Sequence, residues 1–169
     1  MLCAIAKIDP VSKERLSKVQ QTAEKFGIPV RDLYGHITLV TYVGNAEEAF
    51  IVSCKDMLHG YKSFCVRYDK VEVLPATQII VASPIKKNEI ATIHSEIVKA
   101  WAEELDQWSR ETIWHPHTTL VYHPKADLNV IANAMQEKFS PFDARIEKIE
   151  FSRVTEDGYK IVDSIALET

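Results

Sequence analysis

The sequence predicts an α/β fold of the α+β type, in which two lobes of mainly antiparallel sheet with flanking helices surround a central cleft. Short β-branched runs alternate with segments whose apolar residues recur at helical spacing. The order of these segments occurs twice, and the string His-x-Thr-Leu stands at the same place in both copies. No linker rich in Gly, Pro or Ser separates the copies. We therefore expect residues 1–169 to form one bilobal domain of two diverged repeats, roughly 1–75 and 76–169.

The first repeat has the order strand, helix, strand, helix, strand. The short alternating run Leu2–Ile8 is typical of a strand, and a helix follows it with Ser12 as its N-cap and Gly27 at its end. The strand that contains His36 comes next, and an extended run at 64–74 closes the repeat after a second helix. The apolar positions of the two helices are Leu16, Val19, Ala23 and Phe26, and Phe50, Cys54, Met57 and Leu58.

The second repeat has the same order and one additional strand. It begins with the β-branched run 78–85, and its middle strand contains His117. An extended run at 144–154 and a turn at 156–158 lead into a last strand at 159–167, which predicts a hairpin. The apolar positions of its two helices are Ile90, Ile93, Ile97 and Trp101, and Leu128, Ile131, Met135 and Phe139.

The composition excludes several function classes. A net charge of −4 argues against tight binding of long duplex DNA, because such binding needs many phosphate contacts. No apolar run approaches the roughly 20 residues that a membrane-spanning helix requires, so we expect no membrane partner. The three cysteines form no CxxC pair and are expected to be reduced, as in a cytoplasmic protein. We also expect a monomer.

The two His-x-Thr-Leu strings are the most informative motifs, and they lie 81 residues apart. Alternation along a strand places His36 and Thr38 on one face, and it places His117 and Thr119 on one face in the second copy. The residue between each pair and the Leu after it then point into the core. If the two strands lie side by side, two imidazoles and two hydroxyls meet in one cleft. This arrangement suits acid–base chemistry on a phosphate.

These motifs resemble those of the 2H phosphoesterase superfamily, which is defined by paired His-x-Thr/Ser motifs in a duplicated α/β fold. HITLVTYVG at 36–44 is similar to the first motif of its bacterial branch of 2′-5′ RNA ligases and RNA 2′,3′-cyclic phosphodiesterases, and PHTTL at 116–120 resembles the second. The resemblance implies catalytic roles for His36 and His117, with Thr38 and Thr119 as substrate-binding residues.

The expected activity is metal-independent cleavage of a 2′,3′-cyclic phosphate or 2′-5′ phosphodiester, or the reverse ligation, at an RNA end or in a small nucleotide. Two imidazoles with ordinary pKa values of about 6.5 can divide the roles of general acid and general base without a metal or another cofactor. Threonine hydroxyls can donate hydrogen bonds to the non-bridging phosphate oxygens. The sequence leaves open which histidine is the acid.

Aromatic residues flank both motifs, and we expect at least one of them to stack on a base. The candidates are Tyr34, Tyr42, Trp114 and Tyr122. For any single one of them, a place at a strand end in the core or at its rim is the more common role.

Two other functional interpretations remain. His115, His117 and His123 are close in sequence and could bind zinc, although no suitably spaced Asp, Glu or Cys completes a ligand set. A non-catalytic module that binds a nucleotide or an RNA end is the alternative function. Binding alone does not require two imidazoles, which favours catalysis.

Overall fold

The computed structural model describes residues 1–86, 88–156 and 158–169. Its elements follow the predicted order. The strands are β1 (Leu2–Ile8), β2 (His36–Tyr42), β3 (Phe64–Val73), β4 (Ile79–Pro84), β5 (Thr118–Tyr122), β6 (Phe142–Thr155) and β7 (Gly158–Ala166), and the α-helices are α1 (Pro10–Gln20), α2 (Glu47–Leu58), α3 (Asn88–Trp101) and α4 (Leu128–Lys138). Asp157 of the predicted turn lies outside the described residues. None of the helices in the described ranges has the length and apolar character that a membrane crossing needs.

The seven strands form a single antiparallel sheet, which confirms the predicted class of fold. The strand order is β2-β1-β6-β3-β4-β5, and β7 also pairs with β6. Strand β6 has 14 residues and is long enough to take part in both halves of the sheet. Its first residues pair with β3, whereas its later residues lie between β1 and β7. This shared strand joins what the sequence predicted as the sheets of two lobes.

The last long strand of each predicted repeat pairs with the first strand of the other repeat. Strand β3 pairs with β4, and β6 pairs with β1. Strands β3 and β6 also pair with each other, with Val66 opposite Ala144 at the centre of their register. This exchange is the pairing expected of two repeats related by an approximate two-fold axis. The duplication itself remains a prediction.

Helix α1 begins with a capping arrangement that differs from the prediction. Asp9, not Ser12, is the N-cap, and its carboxylate accepts hydrogen bonds from the Ser12 backbone N–H at 2.9 Å and from the Ser12 hydroxyl at 2.7 Å. Pro10 follows at the first helical position, where its missing N–H costs nothing. The helix ends at Gln20, and a 3₁₀ turn continues to Gly27, whose φ of 75° favours glycine.

The segment that precedes β5 covers the free edge of β2. Leu105 forms a bridge with Tyr42, and the Thr41 N–H donates to the Ser109 hydroxyl oxygen at 2.8 Å. Further along, the Trp114 indole N–H donates to the Thr38 carbonyl at 3.0 Å. Exposed sheet edges are prone to wrong pairing, and these contacts satisfy the edge of β2 within the chain. They also bring the second motif next to the first.

Candidate functional site

Both motif strands alternate between an accessible face and the core, as predicted. The motif residues that were predicted to point into the core are buried. In contrast, His36, Thr38 and His117 are partly exposed, and Thr119 is exposed. The buried members are Ile37, Leu39, Thr118 and Leu120. The sequence pattern therefore predicted the direction of the motif side chains correctly.

The two motif strands share an irregularity at the same position. The register of β2 against β1 skips Leu39, and the register of β5 against β4 skips Leu120, so each strand has a β-bulge at the Leu of its motif. A bulge re-aims neighbouring side chains and increases the local twist. The two copies therefore present their His and Thr side chains from the same local backbone geometry.

The two motif strands lie at opposite ends of the strand order and yet are adjacent in space. Strands β2 and β5 are in contact, and the Thr118 hydroxyl donates a hydrogen bond to the His36 carbonyl at 2.8 Å. The imidazoles are close enough that the positive charge of protonated His117 lowers the pKa of His36. The sheet thus curves until its first and last strands meet, and it brings the two histidines together.

His36 is held in its neutral form. Burial, followed by the charges of Lys7 and protonated His117, lowers its pKa to about 4, while Glu150 opposes this shift. Its Nδ1 atom is buried and has no hydrogen-bond partner among the described residues. The Nε2 atom is therefore the ring nitrogen available to a ligand.

His117 has a different hydrogen-bond environment. Its Nδ1 atom lies 2.7 Å from the carbonyl oxygen of His115, and because a carbonyl can only accept, Nδ1 carries the proton. Burial lowers the pKa of His117, but this hydrogen bond acts in the opposite direction. The Nε2 atom is free to accept or donate a proton at a ligand.

Each half-site also contains a carboxylate, which the analysis of the sequence missed. Glu150 lies opposite Ile5 in the sheet, and Glu72 lies opposite Val81. Each Glu forms an ion pair with the lysine two residues before it, Lys148 and Lys70 respectively. A string of Lys, a β-branched residue and Glu thus occurs at 70–72 and at 148–150, 78 residues apart, and aligning the two repeats beyond the His motifs would have revealed it.

The two carboxylates are bound by the residues two positions before the motif histidines. The Tyr34 hydroxyl donates to Glu150 at 2.6 Å, and His115 Nε2 lies 3.3 Å from Glu72. Glu72 also accepts a hydrogen bond from the Ser83 hydroxyl at 2.8 Å. Burial alone would raise the pKa of each carboxyl, but these hydrogen bonds and the neighbouring lysines hold both pKa values below the ordinary range. Each half-site thus holds a carboxylate that is bound by the residue two positions before its motif histidine.

A comparison with protein families shows to which family the chain belongs. The family described as the 2′-5′ RNA ligase superfamily matches residues 8–158, which is most of the chain. The chain belongs to the 2′-5′ RNA ligase superfamily. The resemblance to the 2H phosphoesterases is thereby confirmed, and membership indicates a phosphoesterase or ligase activity of the 2H kind. No curated protein matches the chain in sequence.

Solved structures show the same fold as this superfamily member. E. coli LigT complexed with 3′-AMP is similar with a TM-score of 0.68 and 15% identity, and the match covers 99% of this chain and 98% of that one. LigT complexed with NADP⁺ gives a TM-score of 0.63 at 13% identity, covering 99% and 97%. TT0787 of Thermus thermophilus gives 0.61 at 13%, covering 98% and 97%. Identities this low establish the fold alone.

The aromatic residues that flank the motifs have different places in this superfamily member. Tyr42 is 1% exposed and stacks on Phe50, and its hydroxyl donates a hydrogen bond to the Glu104 carboxylate. Trp114 is also buried and stacks on His94, with ring centroids 3.8 Å apart. For Tyr42 and Trp114 the structure therefore corrects the interpretation as base-stacking residues, because neither ring has a free face for a ligand. Tyr122 is 66% exposed at the end of β5.

A different aromatic residue lies beside the first motif histidine. The Tyr159 ring on β7 meets the His36 ring edge-on at 5.0 Å between centroids, and it lies 6.4 Å from the Tyr34 ring. Tyr159 is nevertheless half-exposed, so its ring is accessible to a ligand. Sequence reasoning missed it because β7 has no counterpart in the first repeat and Tyr159 is distant from both motifs in the chain.

The three histidines around the second motif have separate partners. His115 and His117 have ring centroids 6.3 Å apart, and His123 Nδ1 accepts hydrogen bonds from the backbone N–H groups of Lys125 and Ala126. Within the described ranges, no group of three or more His, Cys, Asp or Glu side chains is arranged to hold a metal ion.

Proposed function

We propose that this protein is a metal-independent phosphoesterase that hydrolyses a 2′,3′-cyclic phosphate or a 2′-5′ phosphodiester bond, or catalyses the reverse ligation. The observation that carries the proposal is that His36, the first residue of β2, and His117, the residue just before β5, approach each other at the start of two strands with the same motif and the same bulge. Two imidazoles of unequal environment supply the acid and the base that phosphodiester cleavage requires.

In the hydrolytic direction, His36 is the general base and His117 the general acid. His36 is neutral above a pH of about 4, so its Nε2 can take a proton from the attacking water. The water oxygen then forms a bond to phosphorus, and the bond from phosphorus to one ribose oxygen breaks. That oxygen takes a proton from protonated His117. In the ligation direction the same two residues exchange roles.

Thr38 and Thr119 would bind the phosphate. Thr38 on β2 is partly exposed and Thr119 on β5 is exposed, and strand alternation places each of them on the same face as the histidine of its motif. In the transition state negative charge grows on the non-bridging oxygens, and hydrogen-bond donors placed there lower the barrier.

The substrate in this proposal is an RNA end or a small nucleotide. Tyr159 and Tyr34 next to His36, with Tyr122 at the end of β5, offer aromatic surfaces on which a base could stack. LigT, which shares the fold, has been solved with 3′-AMP, NADP⁺ and ATP, and this is consistent with a nucleotide-sized ligand.

The test is turnover of 2′,3′-cyclic AMP by the wild-type chain and by His36→Ala and His117→Ala variants, with and without EDTA. We expect each variant to lose at least about 10²-fold in kcat, the usual contribution of one acid–base residue, and EDTA to have no effect. His59→Ala is the matched control, since His59 is exposed in the turn after α2. EDTA-sensitive turnover would favour the metal interpretation. Nucleotide binding without turnover in the wild-type chain would favour the non-catalytic module.

A further inference from the structure

The two half-sites differ at the position opposite the motif histidine. Lys7 on β1 pairs with His36 on β2 in the sheet register. On the other side Ala82 pairs with Thr118, which places Ser83, one residue further along β4, beside His117. Because both motif strands have the same bulge, Lys7 and Ser83 occupy equivalent positions. One half-site thus has a cation where the other has a hydroxyl.

This difference changes the partner of one backbone carbonyl. In the second half-site, the carbonyl two residues before the motif histidine belongs to His115, and it accepts the Nδ1 proton of His117 at 2.7 Å. In the first half-site, the equivalent carbonyl belongs to Tyr34, and it accepts a hydrogen bond from the Lys7 ammonium instead. His36 Nδ1, the atom that would use this carbonyl, has no partner among the described residues.

Lys7 is held in this position by a second contact. Its ammonium lies 3.5 Å from the centroid of the Tyr34 ring, a cation–π geometry. The Tyr34 ring is in turn fixed by the hydrogen bond from its hydroxyl to Glu150. The backbone carbonyl and the ring of Tyr34 thus together hold the Lys7 ammonium close to His36.

The groups that face His36 come from five parts of the chain. Lys7 approaches from β1, Tyr34 from the preceding loop, Glu150 from β6, Tyr159 from β7 and His117 from the residue just before β5. The carboxylate among them is shared with the ammonium of Lys148 and with the Tyr34 hydroxyl. The effect of Lys7 on His36 is therefore not cancelled by this carboxylate.

We propose that Lys7 is a positioning residue that makes the two motif histidines chemically different, by occupying the carbonyl acceptor of His36 and by placing a positive charge beside its ring. The catalytic consequence rests on the proposed function: Lys7 assigns the base role to His36 and leaves the acid role to His117. Without this difference, two equivalent half-sites would compete for the same proton.

The test is an NMR titration of the histidine rings in the ligand-free protein, comparing the wild type with Lys7→Met and Lys7→Arg. In Lys7→Met we expect the pKa of His36 to rise from about 4, a gain of about tenfold or more in proton affinity, while burial keeps it below 6.5. Lys7→Arg keeps both the charge and the donor, so His36 should titrate as in the wild type. An unchanged His36 in a folded Lys7→Met protein would overturn the proposal.

Two controls separate the role of Lys7 from a general loss of charge or of fold. His94, buried with a pKa of about 4 and bonded to the Ser109 carbonyl, should titrate identically in every variant. Lys148→Met removes a cation from the same region and frees the Glu150 carboxylate, but it leaves the Tyr34 carbonyl occupied by Lys7, so the pKa of His36 should rise by clearly less than in Lys7→Met. A rise in Lys148→Met equal to that in Lys7→Met would contradict a specific role of Lys7.

The reciprocal substitution keeps the proposal testable if Lys7→Met does not fold. Ser83→Lys places an ammonium at the equivalent position, where it would compete for the His115 carbonyl and lower the pKa of His117 further. An unchanged His117 pKa would count against the proposal. If these titrations shift as expected but the wild type turns over no cyclic phosphate, the proposed function fails and the Lys7 effect stands. If turnover is present and the titrations do not shift, the Lys7 proposal alone fails.

Discussion

The unequal environments of the two histidines predict how the reaction responds to pH. The base, His36, must be neutral, so activity falls as the pH decreases through its pKa of about 4. The acid, His117, must be protonated, so activity falls as the pH increases through a pKa that burial holds below 6.5. We expect kcat/KM for 2′,3′-cyclic AMP to follow a bell with its optimum in the acid range. A profile that rises monotonically through neutral pH would contradict this division of roles.

Tyr159 offers a second test at the scale of one residue. If a base stacks on its ring, Tyr159→Leu should raise KM about tenfold, since base–aromatic stacking contributes about 1–3 kcal/mol, with little change in kcat. Tyr159→Phe keeps the ring and should retain the wild-type KM, which makes it the matched control. Tyr159→Leu with an unchanged KM would show that the base binds elsewhere.

At this scale the motifs predicted part of the site. His36 and His117 follow from the repeated string, and alternation gave the direction of Thr38 and Thr119. The repeated string around Glu72 and Glu150 was a further signal of the same kind, whereas Tyr159 could not be found in this way, because it reaches the first half-site through the non-local pairing of β7 with β6. Propensity and spacing contain no information about which distant strands become neighbours.

At the scale of the elements, substitutions of two adjacent threonines on β5 should have different effects, one on stability and the other on activity. Thr118 is 1% exposed and bonds to the His36 carbonyl and the Tyr68 hydroxyl, whereas Thr119 is exposed. Thr118→Val should lower the free energy of unfolding by about 1–3 kcal/mol, because two buried polar partners lose their hydrogen bond. Thr119→Val should change it by less than about 0.5 kcal/mol.

The activity of the same two variants is the complementary measurement. Thr119→Val removes a proposed phosphate donor and should lower kcat about 10²-fold in a fully folded protein. Urea unfolding and turnover of 2′,3′-cyclic AMP together check both halves of this expectation. A Thr119→Val protein with wild-type kcat would remove this residue from the proposed phosphate site.

The elements themselves were largely predictable, whereas their details were not. Apolar periodicity predicted the four α-helices of the described residues and the order of the strands. The cap of α1 is Asp9 and not the predicted Ser12, because Pro10 occupies the first helical position and the cap therefore lies one residue before it. The shared bulges at Leu39 and Leu120 leave no mark in composition, since they depend on pairing with β1 and β4.

At the scale of the whole molecule, the exchange of strands predicts that neither repeat folds alone. Strand β3 of the first repeat pairs with β4 and β6, both from the second, and β1 also pairs with β6. A fragment of residues 1–75 would therefore expose unpaired strand edges and apolar surface. We expect fragments 1–75 and 76–169 to be disordered separately and to regain the native circular dichroism spectrum when mixed. Cooperative unfolding of either fragment alone would contradict this expectation.

The class of fold could be predicted for the whole molecule because it follows from local patterns repeated in order. The single sheet could not, because β6 reads in the sequence as one extended run and gives no sign that its two ends serve different neighbours. The division into one bilobal domain of two repeats stays a prediction, which the fragment experiment tests.

The continuity of β6 has a mechanical consequence. Strand β6 runs as one element through both halves of the molecule, and a hinge rotation that separated them would have to shear its pairing with β1 or β3. The spacing of the two imidazoles is thus fixed by the backbone rather than by flexible loops. We therefore expect a ligand to enter through rotamer changes of single exposed side chains such as Tyr159, without a change in the backbone of the sheet.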